Sequence, residues 1–255
     1  MVGNKPIKKN LGKRERDVCV SSGSNPQIDK FKMVTEPHNK NKTRVISLGG
    51  SLIVPREIDI SFLKKFRELI GSYNSKFYIV CGGGETARKY IKVAEKFTKQ
   101  SDYVGIKATW LNGELVKSLF KNVHSEILIK PKLVKEKVVI CGGNLPGRSS
   151  DYEAVLFSHK VGNKELINLT NIDQVYDKDP RKYKTAKPLK DLTWNEYRKI
   201  CGNKWVPGMN LPFDPIAAKY AQKNKIKVVI LNGKKIKNLK NYLDGKSFKG
   251  TIIHS

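Results

Sequence analysis

The fold class of this chain can be inferred from one stretch, KVVICGGNLPGRSSDYEAVLFSHKVG, residues 137–162. It begins with an uninterrupted apolar run, passes through two glycines and a polar loop, and ends in a helical apolar pattern. A strand that is apolar at every position is typical of a sheet that is buried on both faces. The stretch therefore predicts one strand, loop and helix of an α/β protein.

The same plan recurs upstream. KFYIVCGGGETARKYIKVAEKF, residues 76–97, is an apolar strand, three glycines and a helix with Ala87, Ile91 and Ala94 facing inward. RVISLGGSLIVP, residues 44–55, is another apolar strand that meets two glycines and a serine. Alternating strands and helices predict a three-layer αβα sandwich around a mainly parallel central sheet.

Other segments fit this architecture. ELINLTNIDQVYDKD (165–179) is a strand with a polar end, DPIAAKYAQKNKIKVVILNG (214–233) is a helix followed by a strand, and GTIIHS (250–255) is a last short strand. DISFLKKFRELI (59–70) is an amphipathic helix. Its inward face is predicted to carry Phe62, Leu63, Phe66, Leu69 and Ile70.

The N-terminal segment differs from the rest. Residues 1–43 are polar, contain Ser/Gly/Asn/Pro clusters and show little periodicity, so we interpret them as a basic, disordered extension ahead of a domain at 44–255. Ten basic and four acidic residues there contribute +6 of the formal charge of +27. The remaining charge is spread over the domain, which indicates a solvated lysine-rich surface rather than a nucleic-acid stripe. Nucleic acid is therefore not an expected partner, although the field attracts polyanions, including nucleotides.

The sequence also bears on the compartment. No apolar run reaches the length of a membrane span, and the N-terminus lacks an apolar leader core, so neither a membrane nor a secretory route is expected. The four cysteines, at 19, 81, 141 and 201, are far apart and form no C-x-x-C. This spacing argues against a metal site or a disulfide framework and favours the reducing cytoplasm.

Three glycine turns follow predicted strands. They are Gly49-Gly50-Ser51, Gly82-Gly83-Gly84 and Gly142-Gly143. In a parallel sheet such turns lie at one edge, where ligands bind, and exposed backbone N–H groups with helix N-termini attract phosphate. The chain has neither a G-x-x-x-x-G-K-[ST] motif nor a well-placed G-x-G-x-x-G, so an ordinary P-loop NTPase or dinucleotide binder is not indicated.

Individual polar residues near these turns have two interpretations each. Arg88 is either a surface arginine or a ligand of phosphate. Asp151 either caps its helix or orients a lysine or loop in an active site. The segment TNIDQVYDKDP, residues 170–180, is either a polar loop or a clamp for adenosine.

Together these segments resemble a known family. Six segments occur in the order typical of the amino acid kinase superfamily, and above all of its archaeal-type UMP kinases (uridylate kinases). They are SLGGSLIVP, CGGGETARKY, DYVGIKAT.LNGELV (the point stands for Trp110), GGNLPGRSSD, TNIDQVYDKDP and FDPIAAK. The resemblance begins near residue 44. It implies transfer of the ATP γ-phosphoryl group to UMP with Mg²⁺, in a homo-oligomer that is commonly a hexamer.

The resemblance also implies site residues. It assigns ATP binding to Gly50, Ser51, Gly84, Arg88, Thr170, Asn171, Tyr176 and Asp179. It assigns UMP binding to Gly83, Asp102, Asn144, Leu145, Pro146, Gly147, Arg148, Ser149 and Ser150. Asp151 and Lys219 are the expected catalytic residues, Lys219 because the family usually supplies a lysine from this helix; the alternative for Lys219 is a solvent-facing lysine.

Several positions depart from the family pattern. Ser47 stands where many members have a lysine, although the archaeal-type branch tends to lack it. Arg148 and Ser149-Ser150 replace a histidine and two threonines, and KWVPGMNLPFDP (204–215) replaces a small Gly/Ser-rich loop. Three alternatives stay open: a kinase for another acceptor (an amino acid, carbamate or isoprenoid phosphate), a silent binding or storage protein on the same fold, and a nucleic-acid binder that uses the basic tail.

Overall fold

A computed structural model describes residues 42–202 and 211–255. The predicted extension at residues 1–43 lies almost entirely outside the described residues. The first strand begins at Thr43, one residue ahead of the expected domain boundary.

Within these ranges strands and helices alternate as the sequence predicts. The strands are β1 (Thr43–Leu48), β2 (Lys76–Cys81), β3 (Val138–Cys141), β4 (Glu165–Thr170), β5 (Val175–Tyr176), β6 (Pro188–Leu189), β7 (Asp191–Thr193), β8 (Lys227–Asn232) and β9 (Thr251–His254). The helices are α1 (Gly50–Ile53), α2 (Ile60–Gly71), α3 (Gly84–Ala94), α4 (Ser101–Lys117), α5 (Ser150–Lys160), α6 (Trp194–Cys201), α7 (Pro215–Lys223) and α8 (Ile236–Leu243).

Most strands join one sheet. The described residues form a seven-stranded sheet in the order β3-β2-β1-β4-β8-β9-β7, and β5 pairs with β6 separately. The first five strands of this order are parallel, β9 runs antiparallel to β8, and β7 is parallel to β9. The chain therefore winds outward in both directions from β1 and β4, and such a reversal point is where open α/β sheets bind ligands.

Helices cover both faces of the sheet, which confirms the predicted three-layer sandwich. One apolar cluster joins α5, α6 and α7 to the sheet, and a second joins α1, α2 and α8 to its other face. The predicted inward face of α2 is confirmed, because Phe62, Leu63, Phe66, Leu69 and Ile70 are its buried residues. The burial of apolar surface drives this packing, since each Å² removed from water contributes about 25 cal/mol to stability.

Two smaller features complete the architecture. Cys81 and Cys141 end β2 and β3 as buried free thiols, in agreement with their interpretation as small apolar side chains. In the part of the chain that the structure describes, no helix combines the length and the apolar character that a membrane span requires.

Candidate functional site

The first two glycine turns pack backbone against backbone. A methyl group at Gly50 would lie 2.0 Å from the nitrogen of Gly84, and one at Gly82 would lie 2.6 Å from the nitrogen of Gly50. Gly84 also has a φ of +61°, which L side chains rarely adopt. The turns after β1 and β2 therefore form one surface of close-packed peptide groups, which brings Gly50 and Gly84 of the ATP prediction beside Gly83 of the UMP prediction.

A buried amide holds the second turn in place. The Asn112 Nδ2 atom, on α4, donates to the carbonyl oxygens of Gly82 at 2.8 Å and Gly83 at 3.0 Å. These bonds orient the two carbonyls toward α4, on the side opposite to a ligand that would meet the N–H groups. Asn112 was not among the predicted site residues, although a buried asparagine within a helix is a signal that could have identified it.

Arg88 lies one turn into α3. Its guanidinium donates to Glu85 Oε2 at 2.8 Å, and this hydrogen bond lowers the pKa of the Glu85 carboxyl. The arginine side chain is 54% exposed. Since this ion pair is exposed to solvent and screened by it, a phosphate can compete for the guanidinium. Ser51, also predicted to bind ATP, is half-buried in α1 beside the first turn.

The predicted acceptor loop follows β3. Its Asn144 is half-buried, and Leu145, Pro146 and Gly147 are exposed. Asp102, in the first turn of α4, accepts a hydrogen bond from the Gly147 N–H at 2.8 Å. One oxygen of Asp102 thus shapes the loop.

Arg148 has an internal partner that the sequence did not predict. Its Nη1 atom lies 3.7 Å from Glu153 Oε1, and its guanidinium carbon lies 5.1 Å from the ring centre of Tyr152. Glu153 is fully buried, and burial raises the pKa of its carboxyl while the charge of Arg148 lowers it. The charge of Arg148 therefore partly compensates a buried acid of α5.

Asp151 connects three elements of the site. Its Oδ1 accepts from the Ser47 hydroxyl at 3.1 Å, and its Oδ2 accepts from the backbone N–H of Asp214 at 3.2 Å. Burial and the charge of Asp214 raise the pKa of Asp151 from 3.8 to about 7. The residue therefore joins β1, α5 and the start of α7, which supports the interpretation that it orients a loop.

Asp214 is a site residue that sequence reasoning missed. It caps α7, since its Oδ1 accepts from the Ile216 N–H at 2.5 Å, and its Oδ2 accepts from the Ser149 hydroxyl. Burial raises the pKa of its carboxyl. Ser149 itself caps α5 by accepting from the Tyr152 N–H at 3.1 Å. Two helix N-termini therefore meet at one hydrogen bond, and the Asp-Pro start of α7 was the available signal.

Ser150 lies against the glycine turns. A methyl group at Gly82 would lie 3.3 Å from the Ser150 hydroxyl oxygen, so this side chain borders the turn after β2. The predicted acceptor residues Ser149 and Ser150 are thus placed between the glycine surface and Asp214.

Lys219 lies on the outer side of α7. The buried residues of this helix include Ala217, Ala218 and Ala221, whereas Lys219 is exposed. Residues 203–210, which hold most of the unusual loop before α7, lie outside the described residues. The catalytic role of Lys219 stays a prediction.

The predicted donor residues separate into two groups. Thr170 is half-buried and Asn171 is exposed at the carboxyl end of β4, beside the first glycine turn, where the Gly49 N–H donates to Leu169 O at 2.9 Å. Tyr176 is buried in β5, and Asp179 is buried and paired with Arg181 at 2.8 Å. The hydrogen bond from Arg181 lowers the pKa of the Asp179 carboxyl. Tyr176 and Asp179 are therefore buried within the protein, and their role in ATP binding stays a prediction.

Comparisons with known proteins identify the family of this chain. Residues 42–232 match the pattern of the amino acid kinase family. The chain is 37% identical over 228 residues to a protein named uridylate kinase from Thermoplasma volcanium, covering 84% of this chain and 98% of the relative. It is 33% identical over 227 residues to a uridylate kinase from Methanococcus aeolicus, covering 82% and 98%.

Solved structures give the same result. The crystal structure of uridylate kinase from Archaeoglobus fulgidus superposes with a TM-score of 0.68 at 28% identity, and it covers 82% of this chain and 99% of its own. The structure of UMP kinase from Bacillus anthracis gives a TM-score of 0.69 at 18% identity, with 86% and 97% covered, which is evidence for the fold alone. The family resemblance drawn from the sequence motifs is confirmed.

Proposed function

This chain belongs to the amino acid kinase family, and from that premise we propose that it is a UMP kinase, which transfers the γ-phosphoryl group of ATP to UMP and releases UDP and ADP. The observation that carries this proposal is the placement of two loops around one glycine surface. The acceptor loop, residues 144–150, follows β3 on one side of β1, and the donor loop, residues 170–180, follows β4 on the other. The relatives named uridylate kinase support the same reaction.

The chemistry asks little of a general base. The acceptor is a phosphate oxygen that is already anionic at neutral pH, so catalysis consists of positioning and of neutralising the moving charge. The N–H groups of the glycine turns and the N-termini of α3, α5 and α7 would supply partial positive charge near the transferring phosphoryl group. Asp151 and Asp214 align those elements, and in our proposal neither removes a proton.

We propose that Mg²⁺ enters with ATP as part of the co-substrate. No group of three or more metal-binding side chains occurs among residues 42–202 and 211–255. Both oxygens of Asp151 already accept hydrogen bonds from the protein. These residues fit a Mg²⁺ ion that keeps several of its waters and is held mainly by the phosphates of ATP, as is common for Mg²⁺. When bound, the ion would neutralise charge on the transferring phosphoryl group.

The first prediction concerns the acceptor. UMP should be phosphorylated with a kcat/KM about 10- to 100-fold above that of CMP, because the bases differ in hydrogen-bond donors and acceptors at position 4 and N3 and each unpaired buried group costs about 1–3 kcal/mol. Asn144 and the loop backbone are the proposed partners of that base edge, and Asp102 is the proposed partner of ribose hydroxyls. An assay that couples ADP release to a panel of acceptors, with and without Mg²⁺, measures the preference.

That assay also separates the alternatives. Equal kcat/KM for UMP and CMP would contradict the specificity proposal. Turnover of an amino acid or an isoprenoid phosphate, but not of UMP, would indicate another kinase of the superfamily. ATP binding without turnover of any acceptor would indicate a silent binding protein.

The second prediction concerns Lys219. If its charge acts on the transition state, Lys219→Ala should lower kcat about 10- to 100-fold and change KM for either nucleotide much less, since a charge-assisted hydrogen bond contributes about 1.5–3 kcal/mol. Lys223→Ala, one turn later on the same helix, is the matched control and should retain full kcat. Steady-state kinetics with both substrates varied measure the split. A normal kcat for Lys219→Ala would assign Lys219 to the surface.

We further propose a homo-oligomer in the cytoplasm that serves pyrimidine nucleotide synthesis. Large apolar side chains of α3 and α4 are exposed in the single chain, among them Tyr90, Val93 and Leu111, and they offer a surface for a second copy. The free buried thiols of Cys81 and Cys141 suit a reducing compartment.

A further inference from the structure

Helix α4 holds both peptide groups of Gly143, which lies between the end of β3 at Cys141 and the acceptor loop. The Gly143 N–H donates to Thr109 Oγ1 at 2.8 Å, and its carbonyl oxygen accepts from Trp110 Nε1 at 2.7 Å. The Thr109 hydroxyl in turn donates to Ile106 O at 2.7 Å. Because that proton is committed to Ile106, a lone pair of Thr109 faces the Gly143 N–H and orients the peptide group between Gly142 and Gly143.

Trp110 is itself held on two sides. The Lys107 Nζ lies 3.4 Å from the ring centre, which is within the range of a cation–π contact. The pyrrole edge of the indole also packs against Gly142, where a methyl group would lie 2.6 Å from Trp110 Cδ1. The indole N–H is therefore a rigid donor, and Gly142 leaves room for the ring.

The same helix holds the far end of the loop. Asp102 accepts from the Gly147 N–H at 2.8 Å, so α4 contacts the loop at Gly143 and again at Gly147. Asn144, Leu145 and Pro146 lie between these two points and are half-buried or exposed. Their polar groups are the ones that the arrangement leaves to meet a ligand.

We propose that Trp110 is a positioning residue that sets the base selectivity of the acceptor site. This inference rests on the proposed function, because it takes the loop at 144–150 as the UMP site. Thr109 fixes the peptide group between Gly142 and Gly143, and the Trp110 N–H fixes the one between Gly143 and Asn144, which sets the direction in which Asn144 continues the loop. Both polar groups of Gly143 are engaged by α4, so the base is read by Asn144 and the residues after it.

The test uses Trp110→Phe in the full chain. Phenylalanine keeps an aromatic ring against Gly142 but removes the N–H, which leaves the Gly143 carbonyl without that partner. We expect KM for UMP to rise about tenfold, the preference for UMP over CMP to fall about tenfold, and KM for ATP to stay unchanged. A merely structural role would lower the melting temperature and would change the KM values for UMP and for ATP alike.

Fluorescence gives a readout that does not depend on turnover. UMP should change the indole emission of the wild-type protein, and this change should fall by more than half in Trp110→Phe. Trp194→Phe is the control and should retain the UMP response, because Trp194 is buried in α6 and donates to Ile226 O at 3.1 Å.

A second pair of variants keeps the test valid if Trp110→Phe folds poorly. Thr109→Val removes the partner of the Gly143 N–H and should reproduce the loss of base selectivity, whereas Thr109→Ser retains the hydroxyl and should restore it. Intact selectivity in folded Trp110→Phe or Thr109→Val, with UMP still the preferred substrate, overturns the positioning role and leaves the proposed function standing. Wild-type protein that neither binds nor phosphorylates UMP overturns both.

Discussion

Asp151→Asn is expected to lower kcat by about 100-fold or more, although the change removes a single charge. Asparagine can accept only one of the two hydrogen bonds that Asp151 accepts from Ser47 and from the Asp214 N–H. The amide nitrogen of the variant must then either donate to the Ser47 hydroxyl, which reverses that hydrogen bond, or face the Asp214 N–H, which frees the start of α7 from α5. Misplacement of catalytic groups by about 1 Å can cost 10²-fold in rate, and steady-state kinetics with ATP and UMP will measure the loss.

The same variant should change how stability depends on pH. Because the pKa of Asp151 is raised from 3.8 to about 7 in the folded protein, the folded state holds a proton between these values that the unfolded chain has released. The stability that this proton contributes falls as pH rises from about 4 and is gone above about 7. The melting temperature of Asp151→Asn relative to wild type should therefore increase from pH 5 to pH 8.

Thermal unfolding without ligands, at constant ionic strength, tests this expectation. Glu126→Gln, at an exposed position, is the matched control for replacing one carboxylate with an amide. A constant difference between Asp151→Asn and wild type would show that Asp151 does not bind a proton in this range, and normal kcat would remove it from the catalytic machinery.

Gly50→Ala is expected to abolish ATP binding and to destabilise the fold. The added methyl group would lie 2.0 Å from Gly84 N and 2.6 Å from Gly82 O. These neighbours are backbone atoms, so they cannot rotate away, and the two turns must separate. Overpacking costs about 1–3 kcal/mol or more, and each kcal/mol lowers the Tm of a domain of this size by about 2–4 °C.

Gly71→Ala provides the matched control. A methyl group at Gly71 meets no atom within 4 Å, and the residue ends helix α2. Alanine favours a helix over glycine by up to about 1 kcal/mol, so the Tm should stay the same or rise slightly. Calorimetric titration with ATP and thermal unfolding compare the two variants. Native ATP affinity in Gly50→Ala would show that the contact between the turns is not needed for the donor site.

Local patterns were sufficient for the elements and their order. The 3.6-residue periodicity of residues 59–70 predicted the buried face of α2, and apolar runs ending in glycine predicted β1, β2 and β3 with their turns at one edge. The buried face of a helix and the end of a strand depend on residues that are close in the chain, so local sequence patterns were enough to predict both. The family motifs extended this reasoning to the reaction.

The contacts between distant residues of the site depend on the tertiary structure. Asp151 meets the Asp214 backbone across 63 residues, and Trp110 meets Gly143 across 33. Neither pair has a local signature, because the pairing follows from the sheet order and from how α4, α5 and α7 pack on it. Composition and periodicity define which faces are buried, but only packing against the sheet selects which polar groups on those faces meet. The raised pKa of Asp151 and the fixed Gly143 peptide are therefore properties of the fold rather than of any segment.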